Sequence, residues 1–166
     1  MAEGFLRWHA TTAGVDVHVH SAGLLEGGRP ASAEGVEAML QWGIDTSAHR
    51  SRLLASELVD GADLVIGMAR EHVREATLLS PDAFGRAFTL KELVRRGEEV
   101  GPIVPGQAID EWLAKVAAGR RMSDLLGTSP DDDVADPIGQ PLAQYLTTAE
   151  ELDDLTARLV RLLGWR

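Results

Sequence analysis

The run Asp131-Asp132-Asp133-Val134-Ala135-Asp136-Pro137-Ile138-Gly139-Gln140-Pro141 places four carboxylates close together in a turn-rich stretch. The three consecutive aspartates have the make-up of a cation site or of a solvated loop, and the solvated loop is the commoner outcome for such a run. Asp136 differs because it directly precedes a proline. Pro137 drives it into an extended conformation, and Gly139 and Pro141 stiffen the rest of the loop. A carboxylate held that way still reaches solvent, which suits a general acid that delivers a proton at a fixed point; a plain structural turn is the alternative. His18 and His20, two residues apart, put two imidazoles on one side of an extended segment. That is a possible zinc pair or a solvated polar face, and only His9, His49 and His72 remain as further imidazoles. Arg50 and Arg52 could hold an anion or belong to a charged surface loop. The chain has no cysteine, so these 166 residues contain no thiolate nucleophile, no thiolate metal ligand and no disulfide.

The elements that must position these groups read as strands alternating with helices. Val15, Val17 and Val19 alternate with polar residues and predict a strand over 15–20. A Gly- and Pro-rich loop comes next. Ser32 leads into a helix that Gly43 stops. A polar connector, Ile44 to Ser56, precedes a short helix at Glu57 to Ala62. Asp63 to Met68 reads as a buried strand. A helix from Arg70 ends at Ser80-Pro81, and Arg86 to Leu90 reads as a second short strand followed by a helical turn. One more helix lies near Ala108 to Arg120. The last predicted helix starts at a Thr147 or Thr148 cap and carries a stripe of Leu152, Leu155, Leu159 and Leu162. Strands alternating with helices argue for an α/β fold with a small parallel sheet.

Composition narrows the function classes. A chain of 166 residues is the size of a single domain. Its formal net charge of -10 repels phosphate backbones, so no nucleic-acid partner is expected. No run of apolar residues is long enough to span a membrane, and residues 1–30 lack the pattern of a secretory signal. The expected location is cytoplasmic.

Taken in order, several stretches resemble the low-molecular-weight protein tyrosine phosphatases. Met1-Ala2-Glu3-Gly4-Phe5-Leu6-Arg7 resembles the start of that family's first helix. His20-Ser21-Ala22-Gly23 is similar to its Asp-Ser-Ala-Gly stretch. The segment Gly43 to Leu54 resembles its Gly-Ile-Asp-x-Ser-x-His-x-Ala/Ser-Arg-x-Leu segment. Ala62 to Ala76 resembles a family strand and the helix after it, and Asp133 to Tyr145 resembles the Asp-Pro loop that carries the family's general acid. The region 97–130 looks like an insertion.

The resemblance implies a three-layer α/β/α fold and hydrolysis of phosphotyrosine or a small phosphate monoester, with no cofactor. It implies Asp136 as general acid, with Ser21 and His49 supporting the phosphate-binding loop. Ile138 falls where the family usually has an aromatic residue at the substrate entrance. The family's Cys-x-x-x-x-x-Arg-Ser-Pro loop and first strand do not occur in the sequence, so no nucleophile is assigned. The chain therefore reads as an amino-terminally truncated member, inactive as it stands. The alternative is a pseudophosphatase that binds or regulates a partner, and a metal-dependent hydrolase built on His18, His20 and the aspartates ranks third. Oligomeric state is left open.

Overall fold

The structure is a computed structural model that describes residues 1–165. It is α/β, and the chain gathers into two compact units. One comprises Met1–Leu53, 135–160 and Trp165; the other comprises Leu54–Val134 and Arg161–Gly164.

In the first unit, α1 (Ala2–Thr12) and α2 (Ala33–Leu40) are joined by a long irregular segment. Ser32 caps α2 by accepting the Gly35 N–H at 3.1 Å. Phe5 of α1 is fully buried and meets Trp42 edge-on, ring centroids 5.4 Å apart. Gly4 permits this approach: a Cβ there would stand 3.1 Å from Ile44 Cγ2 and from Met39 Cε. The long helix α7 (Leu142–Leu162) supplies Asp153, whose two oxygens take His9 Nε2 at 2.8 Å and Trp42 Nε1 at 3.0 Å.

Two sequence expectations fail in this unit. Residues 15–20 form no strand. Their alternation of half-buried valines with exposed neighbours survives, but among the described residues no ladder partner lies beside them. Their backbone groups bond elsewhere instead: Val15 N–H donates to Ala10 O at 3.0 Å, and Arg7 Nη2 donates to Val19 O at 2.6 Å. The last helix starts at Leu142 rather than at a threonine cap, immediately after Pro141, whose fixed φ suits a helix start. Thr147 lies inside the helix and donates back to Ala143 O at 3.1 Å, as interior threonines do.

The second unit holds the sheet. β1 (Val65–Gly67) pairs in parallel with β2 (Ala87–Thr89), with Ile66 opposite Phe88. Between them run α4 (Arg70–Leu79) and a 3₁₀ helix, Pro81–Arg86; α3 (Ser56–Asp60) precedes β1. Val59, Val73, Ala76, Ala83, Ala87 and Leu125 form one apolar cluster. After β2, Thr89 caps α5 (Leu90–Val100), which is eleven residues long rather than a single turn. Gly97 lies within it. A Cβ there would meet Leu162 Cδ1 at 2.9 Å and Trp112 Cζ2 at 3.0 Å, so the glycine exists to admit α6 (Ile109–Val116), and the helix ends at Gly101 with φ 89°.

The acidic run is the other revision. Asp132 is buried rather than solvated: its carboxylate takes Arg70 Nε and Nη2 at 2.9 and 2.7 Å and Arg95 Nη2 at 2.8 Å. Asp133 caps α4 through the Arg70 N–H at 2.8 Å and holds the Ser129 N–H at 2.8 Å. Periodicity could not reveal this, because the partners lie far away in sequence. Burial pushes the Asp132 carboxyl up, but the hydrogen bonds and charges of Arg95 and Arg70 outweigh it and hold the group below the ordinary aspartate value. A carboxyl depressed in the folded state contributes stability that is present above about pH 3.9 and is lost as pH falls through the folded value. We expect Asp132→Asn to destabilise the fold by about 2–3 kcal/mol, less than a wholly buried pair because Arg95 is half exposed. Urea unfolding at neutral pH checks this, and repeating it below pH 4 should shrink the gap between variant and wild type.

Candidate active site

Ser21, His49 and Asp136 all fall in the first unit. Ser21 bonds one group that sequence reasoning did not single out, Glu3 in the first turn of α1. The Ser21 hydroxyl donates to Glu3 Oε2, and Arg7, one helical turn on, donates to Glu3 Oε1 at 2.5 Å. His49 is exposed. Burial pushes the Glu3 carboxyl up; the Ser21 hydrogen bond, the charge and hydrogen bond of Arg7 and the charge of His49 together bring it below the ordinary value. The available signal was an acidic residue in the first turn of an uncapped helix, spaced four residues before an arginine. What periodicity could not show is that Ser21 returns to the same carboxylate.

Local turns set the rest. Asp45 Oδ1 accepts the Ser47 N–H at 2.8 Å, and this backbone bond, helped by the Ser47 side chain, lowers its carboxyl. The turn continues as the His49 N–H donates to Thr46 O at 3.0 Å. Asp136 is exposed, and its Oδ1 accepts the Ile138 N–H at 3.0 Å across Pro137. That is the local turn expected of an aspartate before proline, and it fixes one carboxylate oxygen while the other faces solvent. Ile138 is 67% exposed. Among the described residues Asp136 shares no hydrogen bond with Ser21, His49 or Glu3. The structure thus bonds Ser21 to Glu3, while His49 and Asp136 each stay on their own turns.

The His18 and His20 rings lie 5.4 Å apart between centroids, tilted. Among the described residues no group of three or more His, Asp or Glu side chains is gathered as a metal site, and Asp132 and Asp133 are occupied by arginine and backbone donors. Among the described residues no helix is long and apolar enough to cross a membrane.

We expect Glu3→Gln to lower stability by about 1 kcal/mol at neutral pH, the usual cost of a charge-assisted bond near the surface. Because the Glu3 carboxyl is depressed in the folded state, its contribution is present above about pH 4.3 and fades as pH falls through the folded value. Melting temperatures of wild type and variant should therefore converge at low pH; a constant difference would show that the carboxylate's charge is not what matters.

Known proteins resemble this chain in sequence and in fold. Residues 1–102 match the model of the family described as low molecular weight phosphotyrosine protein phosphatase. A probable low molecular weight protein-tyrosine-phosphatase of Ralstonia solanacearum is 39% identical over 56% of this chain, and the match spans 62% of that protein's length. A protein-arginine-phosphatase of Bacillus subtilis is 29% identical over 98% of this chain and 87% of its own. The crystal structure of a low molecular weight protein tyrosine phosphatase from T. tengcongensis superposes with a TM-score of 0.72 at 34% identity, covering 98% of this chain and 88% of that one.

Proposed function

Since the chain belongs to the low molecular weight phosphotyrosine protein phosphatase family, we propose that Asp136 is the general acid of phosphate monoester hydrolysis and that residues 1–166 alone do not carry the reaction through. The observation behind the first half is the exposed Asp136 carboxylate, pinned at one oxygen by its own turn. The second half rests on the cysteine count of zero.

In the chemistry that the family resemblance implies, a thiolate attacks the phosphorus. A sulfur–phosphorus bond forms as the bond to the leaving oxygen breaks, and the acid donates its proton to that oxygen. The same carboxylate then takes a proton from the water that hydrolyses the intermediate. Asp136 has the freedom for both steps, because its second oxygen is not committed to the turn. Ser21 and His49 are positioning residues for the phosphate-binding loop in this reading, and Glu3 holds Ser21 beside the first turn of α1. The substrate is phosphotyrosine or a related phosphate monoester.

A second reading concerns the leaving group. The Bacillus subtilis relative, matched over 98% of this chain, is named a protein-arginine-phosphatase, and Ile138 offers an aliphatic rather than an aromatic side chain near Asp136. Phosphoarginine is the substrate that this points to.

Purified residues 1–166 should release no phosphate from para-nitrophenyl phosphate, and metal-independent turnover would overturn that half. With a family strand and Cys-x-x-x-x-x-Arg loop fused ahead of Met1, activity should appear. In that fusion Asp136→Asn should lower turnover on a poor leaving group by about 10²–10⁴-fold and on an activated aryl phosphate by less. Asp131→Asn, an exposed neighbour, is the control; equal losses for both variants on both substrates would make Asp136 a turn residue only. Turnover of phosphotyrosine and phosphoarginine by the same fusion separates the two substrate readings.

A further inference from the structure

Residues 23–30 and 50–53 form a small ribbon that the proposed reaction does not use. Two isolated bridges mark it, Gly23 with Leu53 and Pro30 with Arg50. Ser51 fastens its middle: its N–H donates to Arg29 O at 2.8 Å, its carbonyl accepts the Gly28 N–H at 2.8 Å, and its hydroxyl accepts the Arg29 N–H at 3.0 Å. The segments come this close because residues 27 and 28 are glycines. A Cβ on Gly27 would stand 3.2 Å from Ser51 O, and Gly28 has φ 85°.

The ribbon carries Arg29, Arg50 and Arg52, all exposed. The chain has 26 acidic against 16 basic residues, so an arginine finds a carboxylate easily. Arg7 meets Glu3, Arg70 meets Asp132 and Arg120 meets Glu92. On the ribbon none does. Arg50 Nη1 donates to the carbonyls of His49 at 2.7 Å and Ser47 at 3.3 Å, which orients the guanidinium and leaves Nε and Nη2 open. Among the described residues the guanidinium groups of Arg29 and Arg52 have no hydrogen bond or ion pair.

We propose that this ribbon is a docking site for a phosphorylated segment of a partner protein, with Arg50 and Arg52 gripping one phosphate. Residues two apart in an extended segment share a side and stand about 6.5–7 Å apart at Cα, a span that two guanidinium forks close on a single tetrahedral anion. A phosphate fits better than a run of carboxylates. It concentrates about two negative charges at one point, whereas a long acidic segment would also meet the repulsion of a chain whose net charge is -10. This inference goes beyond the proposed hydrolysis and is read by binding, so the absence or presence of turnover leaves it untouched.

The test is fluorescence anisotropy of purified residues 1–166 with a labelled Gly/Ser-rich peptide bearing one phosphoserine, alongside its unphosphorylated, glutamate and phosphotyrosine twins. Both phosphopeptides should bind, more weakly as ionic strength rises, and the other two should not. Arg52→Gln should weaken binding about tenfold, the loss of one charge-assisted bond, with no change in melting temperature, since its side chain makes no bond in the protein. Arg121→Gln, which removes an exposed arginine already paired with Asp124, should bind as wild type does. No binding up to about 1 mM, equal binding of the glutamate twin, binding of phosphotyrosine alone, or an Arg52→Gln variant indistinguishable from wild type would each overturn the proposal.

Discussion

A carboxylate taken out of water has to be met by donors, and in the second unit of this chain arginine supplies most of them. Asp132 is nearly buried and is held by Arg70 and Arg95. Glu92 is likewise buried and bonds the guanidinium of Arg120, which is 2% exposed and stacks on Phe88 with its carbon 4.1 Å from the ring centre. Neither pair is an ornament on a core that would stand without it. Removing one partner leaves the other charged and dry, a far larger penalty than the net worth of the pair. The short elements of the second unit need such anchors. Its two three-residue strands and ten- and eleven-residue helices bury too little surface to fix one another by packing alone.

The first unit obeys the same constraint with lighter means. Glu3 is partly exposed and takes one hydroxyl and one guanidinium; Asp153 takes an imidazole and an indole. These two carboxylates connect α1 to the segment around Ser21 on one side and to α7 on the other. They compensate for a segment, residues 15–20, that has backbone polar groups and no ladder to pair them. Arg7 shows the economy of this arrangement, because one side chain meets Glu3 and also caps the Val19 carbonyl.

The arginines of the 23–30 and 50–53 ribbon depart from this pattern. There Arg29 and Arg52 close no side-chain bond among the described residues, and Arg50 bonds only the carbonyls of Ser47 and His49, on a ribbon that Ser51 and two glycines hold together. The same ribbon continues directly from Ser21 and His49 in the chain. An exposed turn carrying unpaired guanidinium groups suits recognition of an anion.

Much of this architecture is legible in the sequence alone. The Ser32 cap, the stop at Gly43, both short strands and the leucine stripe of α7 follow from local chemistry, which acts within a few residues and leaves its mark in the sequence. So does Asp136, because a proline and a glycine on either side of Ile138 dictate the turn that holds it. The order of motifs named the family. Tertiary structure decided what depends on distant partners. Alternating valines at 15–20 specify a surface that could join a sheet, and only a neighbouring strand could have made it one. Three consecutive aspartates look alike in sequence, yet Asp132 and Asp133 have separate fates because Arg70 and Arg95 arrive from helices some 40 to 60 residues earlier in the chain. Glu3 was an ordinary first-turn acid until Ser21 folded back onto it. Propensity and turn chemistry are short-range and can be read along the chain; the pairing of buried charge is long-range, and its partners are known only once the chain has brought them together.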